Sequence, residues 1–504
     1  MNVEHTRIVF SDKRSAEPEA RSMVETFRAY GYSFDTALAD IIDNSITAGA
    51  KRISLRYQWE DDKKWFAIQD DGHGMTDDEL VQAMRPGSKN PADIRNTNDL
   101  GRFGLGLKTA SFSQSRRLTV FSKTKGGPIV SWTWDIDHIN QTGKWELVRY
   151  KPDVDCEKWL TDTESGTVVL WENLDRLLKL TGTSGKESGD KFAEIMNRVR
   201  AHLSMVFHRF LQEPKARLKI TFGATPLAAW DPFLISSEGL QPLPEERLQN
   251  GAVNIKGYIL PHRSKLADKE YQDAGGPNGW NEQQGFYIYR NDRMLVSGDW
   301  LGIFRKEDHY KLARIAIDLP NTLDNDWQID IKKSTARPPW GVRGNLEAIA
   351  KKVRTQANEV FRQRAKVVQR QLKTEDFTPV WQDEIRKGKR FYKINREHHL
   401  IALILDELGD RRKDVERLLR VIEETIPVPS IYIHEKDHSE PHGQPFEDAP
   451  EKVSEAEKRH LAELLKKTHE RLLNSGRPPE YVKTILLGTE PFSSFPELVE
   501  ALFH

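Results

Sequence analysis

Three glycine-bearing or glycine-flanked segments in a fixed order constrain this chain more than anything else in it. They are Ala37-Leu-Ala-Asp-Ile-Ile-Asp-Asn44, Asp70-Asp-Gly-His-Gly-Met75 and Gly101-Arg-Phe-Gly-Leu-Gly-Leu-Lys108, with Gly166-Thr167 opening a later apolar run. Each is joined to a periodic element. Residues 34–46 carry apolar side chains at helical spacing, while Arg52-Ile-Ser-Leu-Arg-Tyr alternates as a half-buried strand does. Trp65-Phe-Ala-Ile-Gln-Asp reads as the next strand and delivers Asp70 to its end. Residues 103–112 read as a helix opened by glycines, and Leu118-Thr-Val-Phe-Ser and Gly166-Thr-Val-Val-Leu-Trp return as strands. Helices and strands interleaved in this way predict an α+β domain.

The chemistry of the segments is specific to a phosphorylated ligand. Asp40 and Asn44 are four residues apart, so on a helix they share a face. A carboxylate that polarises water and an amide oxygen that completes a magnesium shell need that shared face, because magnesium takes hard oxygens and keeps several waters. Asp70 follows a strand and precedes Gly72 and Gly74, so its carboxylate can accept a hydrogen bond from a ligand amino group where glycine lets the backbone come close. Gly101, Gly104 and Gly106 open a helix whose first turn can offer N–H groups to phosphate oxygens, with Lys108 as an added positive charge. Neither a Walker A spacing nor a dinucleotide Gly-x-Gly-x-x-Gly pattern is present. Taken singly, an ordinary helix with exposed acids and an ordinary turn are the alternatives.

Together the segments resemble the N, G1 and G2 boxes of the GHKL ATPases, the superfamily of gyrase B, Hsp90, MutL and histidine kinases. The resemblance implies a GHKL (Bergerat) ATP-binding α/β sandwich, an S5-like transducer domain after it, and a helical C-terminal region. It implies ATP and Mg2+ as ligands, with Asn44 as the metal ligand and Asp70 as the reader of adenine beside Gly72, Gly74, Met75 and Thr167. Ser88 and Lys89 fall in a polar lid, and Gly101, Gly104, Leu105, Gly106, Leu107 and Lys108 in the phosphate-binding segment. Asp40 takes the general-base position, where most hydrolytic relatives have glutamate; aspartate is shorter by roughly 1.5 Å, and slow hydrolysis is expected. A basic residue from the second domain reaches the γ-phosphate in such enzymes; Lys332 is favoured and Lys333 is the alternative.

Within the superfamily the likeness is strongest to MORC ATPases. It rests on Met84-Arg-Pro-Gly-Ser-Lys, Gly104-Leu-Gly-Leu-Lys-Thr-Ala-Ser111 and Phe286-Tyr-Ile-Tyr-Arg-Asn-Asp-Arg-Met-Leu, and it covers roughly residues 25–340. Asp40 and Thr47 depart from the pattern, and a lone cysteine cannot build the zinc-finger reader of the animal proteins. An ATP-dependent homodimer acting on DNA, in a prokaryotic defence or DNA-processing system with further subunits, is the expectation. An Hsp90-like chaperone and a nucleotide sensor that does not hydrolyse are the alternatives.

With 504 residues the chain has room for about three domains. The expected partition is an arm at 1–20, the ATP-binding domain at 21–180, the transducer at 181–345, a basic helical region at 346–433, a linker at 434–453 and a helical tail at 454–504. Lysine plus arginine equals aspartate plus glutamate, 76 of each, so any nucleic-acid surface must come from local clustering. Such a cluster lies at 351–373, where Lys351, Lys352, Arg354, Arg362, Arg364, Lys366 and Arg370 accompany an apolar face; DNA, a solvated exterior and an acidic partner all suit it. No apolar run reaches membrane-spanning length. The lone Cys156 excludes an internal disulfide and is expected to be buried, in keeping with a reducing cytoplasm.

Overall fold

The apolar runs between residues 52 and 226 assemble into one seven-stranded sheet, in the order β4-β3-β5-β2-β1-β6-β7. The computed structural model describes Arg14 and residues 17–60, 63–88, 100, 104–182, 185–330, 333, 335–371, 380–386, 389–428, 455–474 and, with gaps, 476–503. The strands are β1 (Arg52–Glu60), β2 (Lys63–Asp70), β3 (Arg117–Lys123), β4 (Ile129–Asp135), β5 (Gly166–Glu172), β6 (Lys219–Phe222) and β7 (Thr225–Pro226). Neighbours are antiparallel except β1 and β6.

The helices of this layer are α1 (Ala20–Ala29), α2 (Phe34–Thr47), α3 (Asp77–Met84), α4 (Gly106–Gln114), α5 (Ile136–Thr142), α6 (Cys156–Thr161), α7 (Asp175–Thr181) and α8 (Lys186–Val206). Strand β5 shows why its sequence is continuously apolar: both of its faces are covered. Val169 and Trp171 enter a large core with Val24, Leu38, Ile42 and Phe112, while Val168 and Leu170 enter a smaller one with Phe121, Cys156 and Leu160. Each such side chain contributes about 1.5–3 kcal/mol by leaving water. Burial pushes the Cys156 thiol up to about 12, so it is a packing residue.

The strand Lys219–Phe222 falls in the stretch 181–345 expected to form the transducer, yet it extends the first sheet, with Lys219 beside Arg52. Ile220 and Phe222 are buried in the first core together with Phe192, Val199 and Leu203 of α8. Covering the open edge of β1 buries these side chains, so the first layer runs on to Pro226 rather than ending near residue 180.

A second sheet has five strands in the order β11-β10-β12-β9-β8. They are β8 (Gln241–Leu248), β9 (Val253–Ile259), β10 (Gly285–Arg290), β11 (Arg293–Asp299) and β12 (Ala313–Leu319). The three inner strands β9, β10 and β12 are apolar and largely buried. Strand β8 reads Gln-Pro-Leu-Pro-Glu-Glu-Arg-Leu and is largely exposed, a composition that only an edge tolerates. Strand β11 follows β10 through Asn291-Asp292, both with positive φ, as a two-residue hairpin turn requires. The short helices α9 (His208–Leu211), α10 (Asp268–Ala274) and α11 (Gly279–Glu282) lie before and between these strands, and α12 (Trp340–Gln371) follows them.

Arg354 does not lie on the free basic face expected of it. It is 9% exposed, with its guanidinium 3.8 Å from the Tyr310 ring centroid, 4.0 Å from that of Phe304 and 3.5 Å from Glu307. Lys351 and Lys352 are exposed, paired with Glu347 and Glu246. The side chains of Arg362, Arg364, Lys366 and Arg370 lie outside the described residues.

The chain divides into two compact units, residues 1–358 and 359–504. The second contains a hairpin, β13 (Trp381–Arg386) with β14 (Lys389–Ile394), where a helical region was expected. Its Trp, Ile, Phe and Tyr residues favour a strand. Helices α13 (His399–Glu407) and α14 (Arg412–Glu424) follow, and three more helices span Glu455–Asn474, Pro479–Leu487 and Pro496–Glu500. Leu400, Leu465, Leu472, Val482 and Phe492 form the unit's own core. The expected linker at 434–453 lies outside the described residues. Among those described, no helix is long and apolar enough to cross a membrane.

Candidate functional site

The helix α2, the turn after β2, the start of α4 and a loop from beyond the second sheet meet around a cavity of about 270 Å3. Asp40, Asn44, Asp70, Gly74, Met75, Ser88, Gly104, Gly106, Leu107, Lys108, Thr167 and Lys333 all line it. Lys89, Gly101 and Lys332 lie outside the described residues. Gly72 and Leu105 stand just behind the wall: Gly72 backs onto Ala48, and Leu105 packs on the first core.

One end of the cavity is organised by Asp70, at the last position of β2 and 6% exposed. Its Oδ2 accepts from the Ser45 hydroxyl at 2.7 Å and its Oδ1 from the Gly72 N–H at 2.9 Å. The Thr167 backbone N–H is a third donor. Burial raises the carboxyl above its ordinary range, against the pull of these three neutral donors. Two glycines make the geometry possible. A Cβ on Gly74 (φ +69°) would meet the Lys123 carbonyl oxygen at 1.9 Å, and one on Gly166 (φ +153°) would meet the Asp70 carbonyl oxygen at 2.2 Å. Ser122 finishes this wall, taking the Met75 N–H at 2.9 Å and lying 3.1 Å from the Thr167 hydroxyl.

The other end is ionic. Asp40 is 2% exposed; its Oδ2 accepts from the Tyr32 hydroxyl at 2.8 Å, and its Oδ1 lies 3.1 Å from Lys333 Nζ without hydrogen-bond geometry. The Lys333 ammonium donates to Asp43 Oδ2 at 2.6 Å, and Arg293 Nε approaches Asp43 Oδ1 at 3.3 Å. Burial raises the Asp43 carboxyl, but Arg293 and Lys333 together outweigh it and hold the group below the usual carboxylate range. Lys333 adopts a positive φ of 52°. That conformation costs a non-glycine residue roughly 1–2 kcal/mol, which its two carboxylate contacts offset.

A second link joins the sheets nearby. Arg290, buried in β10, pairs with Asp324 at 2.8 Å and donates to the Leu100 carbonyl, at the end of the segment expected to be a lid. Lys108 lines the cavity, yet its ammonium donates to the carbonyls of Ala83 (2.8 Å) and Gly104, tying α3 to the glycine segment. No side chain caps the first turn of α4, so its N–H groups remain available to an anion. Asn44 is exposed at the cavity. No group of three or more acidic, histidine or cysteine ligands occurs among the described residues. That donor set fits a magnesium ion held chiefly by a ligand's phosphates and water.

The family profile described as histidine kinase-, DNA gyrase B- and HSP90-like ATPase matches residues 32–167. Those residues form a GHKL ATPase domain. A 91-residue stretch is 28% identical to the ATPase morc-1 of Caenorhabditis elegans and covers 18% of this chain. Another, of 112 residues and 22% of the chain, is 35% identical to the DNA mismatch repair protein MutL of Rhizorhabdus wittichii. These stretches span only 10% and 18% of the two relatives.

Sequence reasoning missed several residues that shape the GHKL pocket. Asp43 and Ser45 flank Asn44 and were visible as neighbours of a motif, but helical position alone does not say that one anchors a lysine and the other a carboxylate. Arg290 and Arg293 lay inside a quoted segment without a role. Tyr32 had no signal at all, because its contact with Asp40 exists only once α1 and α2 are folded.

Proposed function

We propose that this chain binds ATP with magnesium, hydrolyses it, and uses the cycle to close and open a dimeric clamp on DNA. The observation that carries the reading is one cavity with an amino-group acceptor, Asp70, at one end and a carboxylate–lysine pair, Asp40 and Lys333, at the other. Asp70 accepts from the adenine amino group, within a wall of Gly74, Met75 and Thr167. The open first turn of α4 receives phosphate oxygens. Bound magnesium, with Asn44 as its protein ligand, neutralises charge on the phosphates.

Lys333, which lines the cavity, is taken as the lysine for the γ-phosphate. It moves from Asp40 toward the phosphate while Asp43 keeps it tethered. Asp40 then takes a proton from the attacking water; the new oxygen–phosphorus bond forms as the bond to the β-phosphate oxygen breaks, releasing ADP and phosphate. The second sheet acts as an S5-like transducer through Arg290, Arg293 and Lys333, all of which contact the GHKL domain or its lid edge. The DNA reading draws on the MORC and MutL likeness and on the exposed Lys351 and Lys352, with a role in defence as the biological setting.

Calorimetry with a nonhydrolysable ATP analogue and magnesium tests the core of the proposal, with saturable binding expected. Heat indistinguishable from buffer dilution overturns it. Wild-type protein should also gain mass in solution on binding the analogue while Asn44→Ala does not. Binding to long duplex DNA should weaken steeply with salt; salt-insensitive or absent binding moves the reading to a chaperone.

A further inference from the structure

Asp40 lines the cavity on a short, buried side chain, so where its oxygens point depends on what holds them. The fold provides one hydroxyl for this. Gly31, with φ +67°, turns the chain between α1 and α2 and leaves Tyr32 5% exposed, facing inward. Gln114 pins the turn by donating to the Tyr32 carbonyl at 3.1 Å. The phenol then donates to Asp40 Oδ2 at 2.8 Å and also hydrogen-bonds to Thr109 of α4. Burial, reinforced by Asp40, pushes the phenol far above its ordinary range, so it stays a donor at every working pH.

With Oδ2 occupied, the carboxylate cannot rotate freely, and Oδ1 is the oxygen turned toward Lys333. We infer that Tyr32 is a positioning residue for the hydrolytic step: it holds Asp40 so that Oδ1, once Lys333 leaves for the phosphate, faces the attacking water. The inference rests on the hydrolytic reading above. Tyr32 does not line the nucleotide cavity, so its effect passes through Asp40 and leaves ligand contacts alone.

Phosphate release by the full chain, measured under single turnover and at steady state, tests this through a double-mutant cycle. Tyr32→Phe keeps the ring and removes one oxygen. It should lower kcat between ten- and a hundredfold, as misplacement of a reacting group does, with the KM for ATP and the affinity for ADP unchanged. In an Asp40→Asn background the same substitution should cost nothing further. An unchanged kcat in Tyr32→Phe overturns the inference alone. So does an equal loss in both backgrounds, or a parallel fall in ADP affinity, each of which marks a packing role. A wild-type protein that binds ATP and releases no phosphate overturns both this inference and the hydrolytic reading.

Discussion

The two ends of the candidate cavity are both built on buried aspartates, yet they are held in opposite ways. Asp70 is surrounded by neutral donors, Ser45, Gly72 and Thr167, all from the first sheet and its helices. Asp43, beside Asp40, is held by two cations, Arg293 and Lys333, that arrive from the second sheet and the loop beyond it. Neutral donors leave the carboxyl's burial cost uncompensated and raise its pKa; paired cations more than compensate it. The Asp70 end is therefore held within one layer, whereas the Asp43 end joins two. Under the proposed function, a nucleotide that differs only in its phosphates acts on the joint without disturbing the Asp70 end.

The comparison is most exposed to Asp40→Asn. Removing the proton acceptor should reduce hydrolysis by roughly 10²–10⁴ with ATP and ADP affinities kept. A variant that still turns over at the wild-type rate, in a phosphate-release assay, would remove Asp40 from the mechanism.

Asp43→Asn comes next, because it takes the carboxylate from the buried Arg293 and leaves Lys333 with only Asp40 of its two carboxylates. About 3–5 kcal/mol of stability should be lost, read by urea denaturation. A loss under 1 kcal/mol would show that the two layers are not joined there. Smaller again is Asp70→Asn, which should weaken ADP and ATP alike by roughly 10- to 100-fold, the worth of about 1.5–3 kcal/mol from a hydrogen bond to a charged group. Calorimetry that found ATP weakened and ADP untouched would break the assignment of the two ends.

The pH dependence of stability should also run in opposite directions. A depressed carboxyl such as Asp43 stabilises the fold above its unfolded value, about 4, and that contribution disappears as pH falls through the lower folded value. A raised carboxyl such as Asp70 does the reverse: its contribution is present below about 4 and is lost as pH rises through the folded value. Urea titrations from acid to neutral pH should show the Asp43→Asn deficit shrinking in acid, and Asp70→Asn escaping part of the loss that wild type suffers as pH rises. The mildest expectation concerns the exposed pairs. Lys352→Ala removes a contact of 3.5 Å to Glu246 and should change stability by under about 1 kcal/mol.

Much of the GHKL domain was legible because period and motif coincide in it. Residues 34–46 appear as α2, Asp70 ends its strand as expected, and Gly74 sits where only glycine avoids a backbone clash. The failures share a cause. Strand β8 has no legible apolar pattern because it is an exposed edge, and β6, inside the stretch expected to form the transducer, joins the first sheet because pairing partners are not written in a strand of four residues. Arg354 was read as a free cation because its helix is basic, but the cage of Tyr310 and Phe304 comes from a distant loop.

The sequence by itself determined the local elements of the ATPase domain and the residue types that a purine and a phosphate require, since spacing along a helix and the conformational freedom of glycine are local properties. Only the tertiary structure decided that Lys333 and Arg293 meet Asp43 and that the Tyr32 hydroxyl reaches Asp40. Those choices depend on charges and donors that are 8 to 290 residues apart in the chain and become neighbours through burial alone.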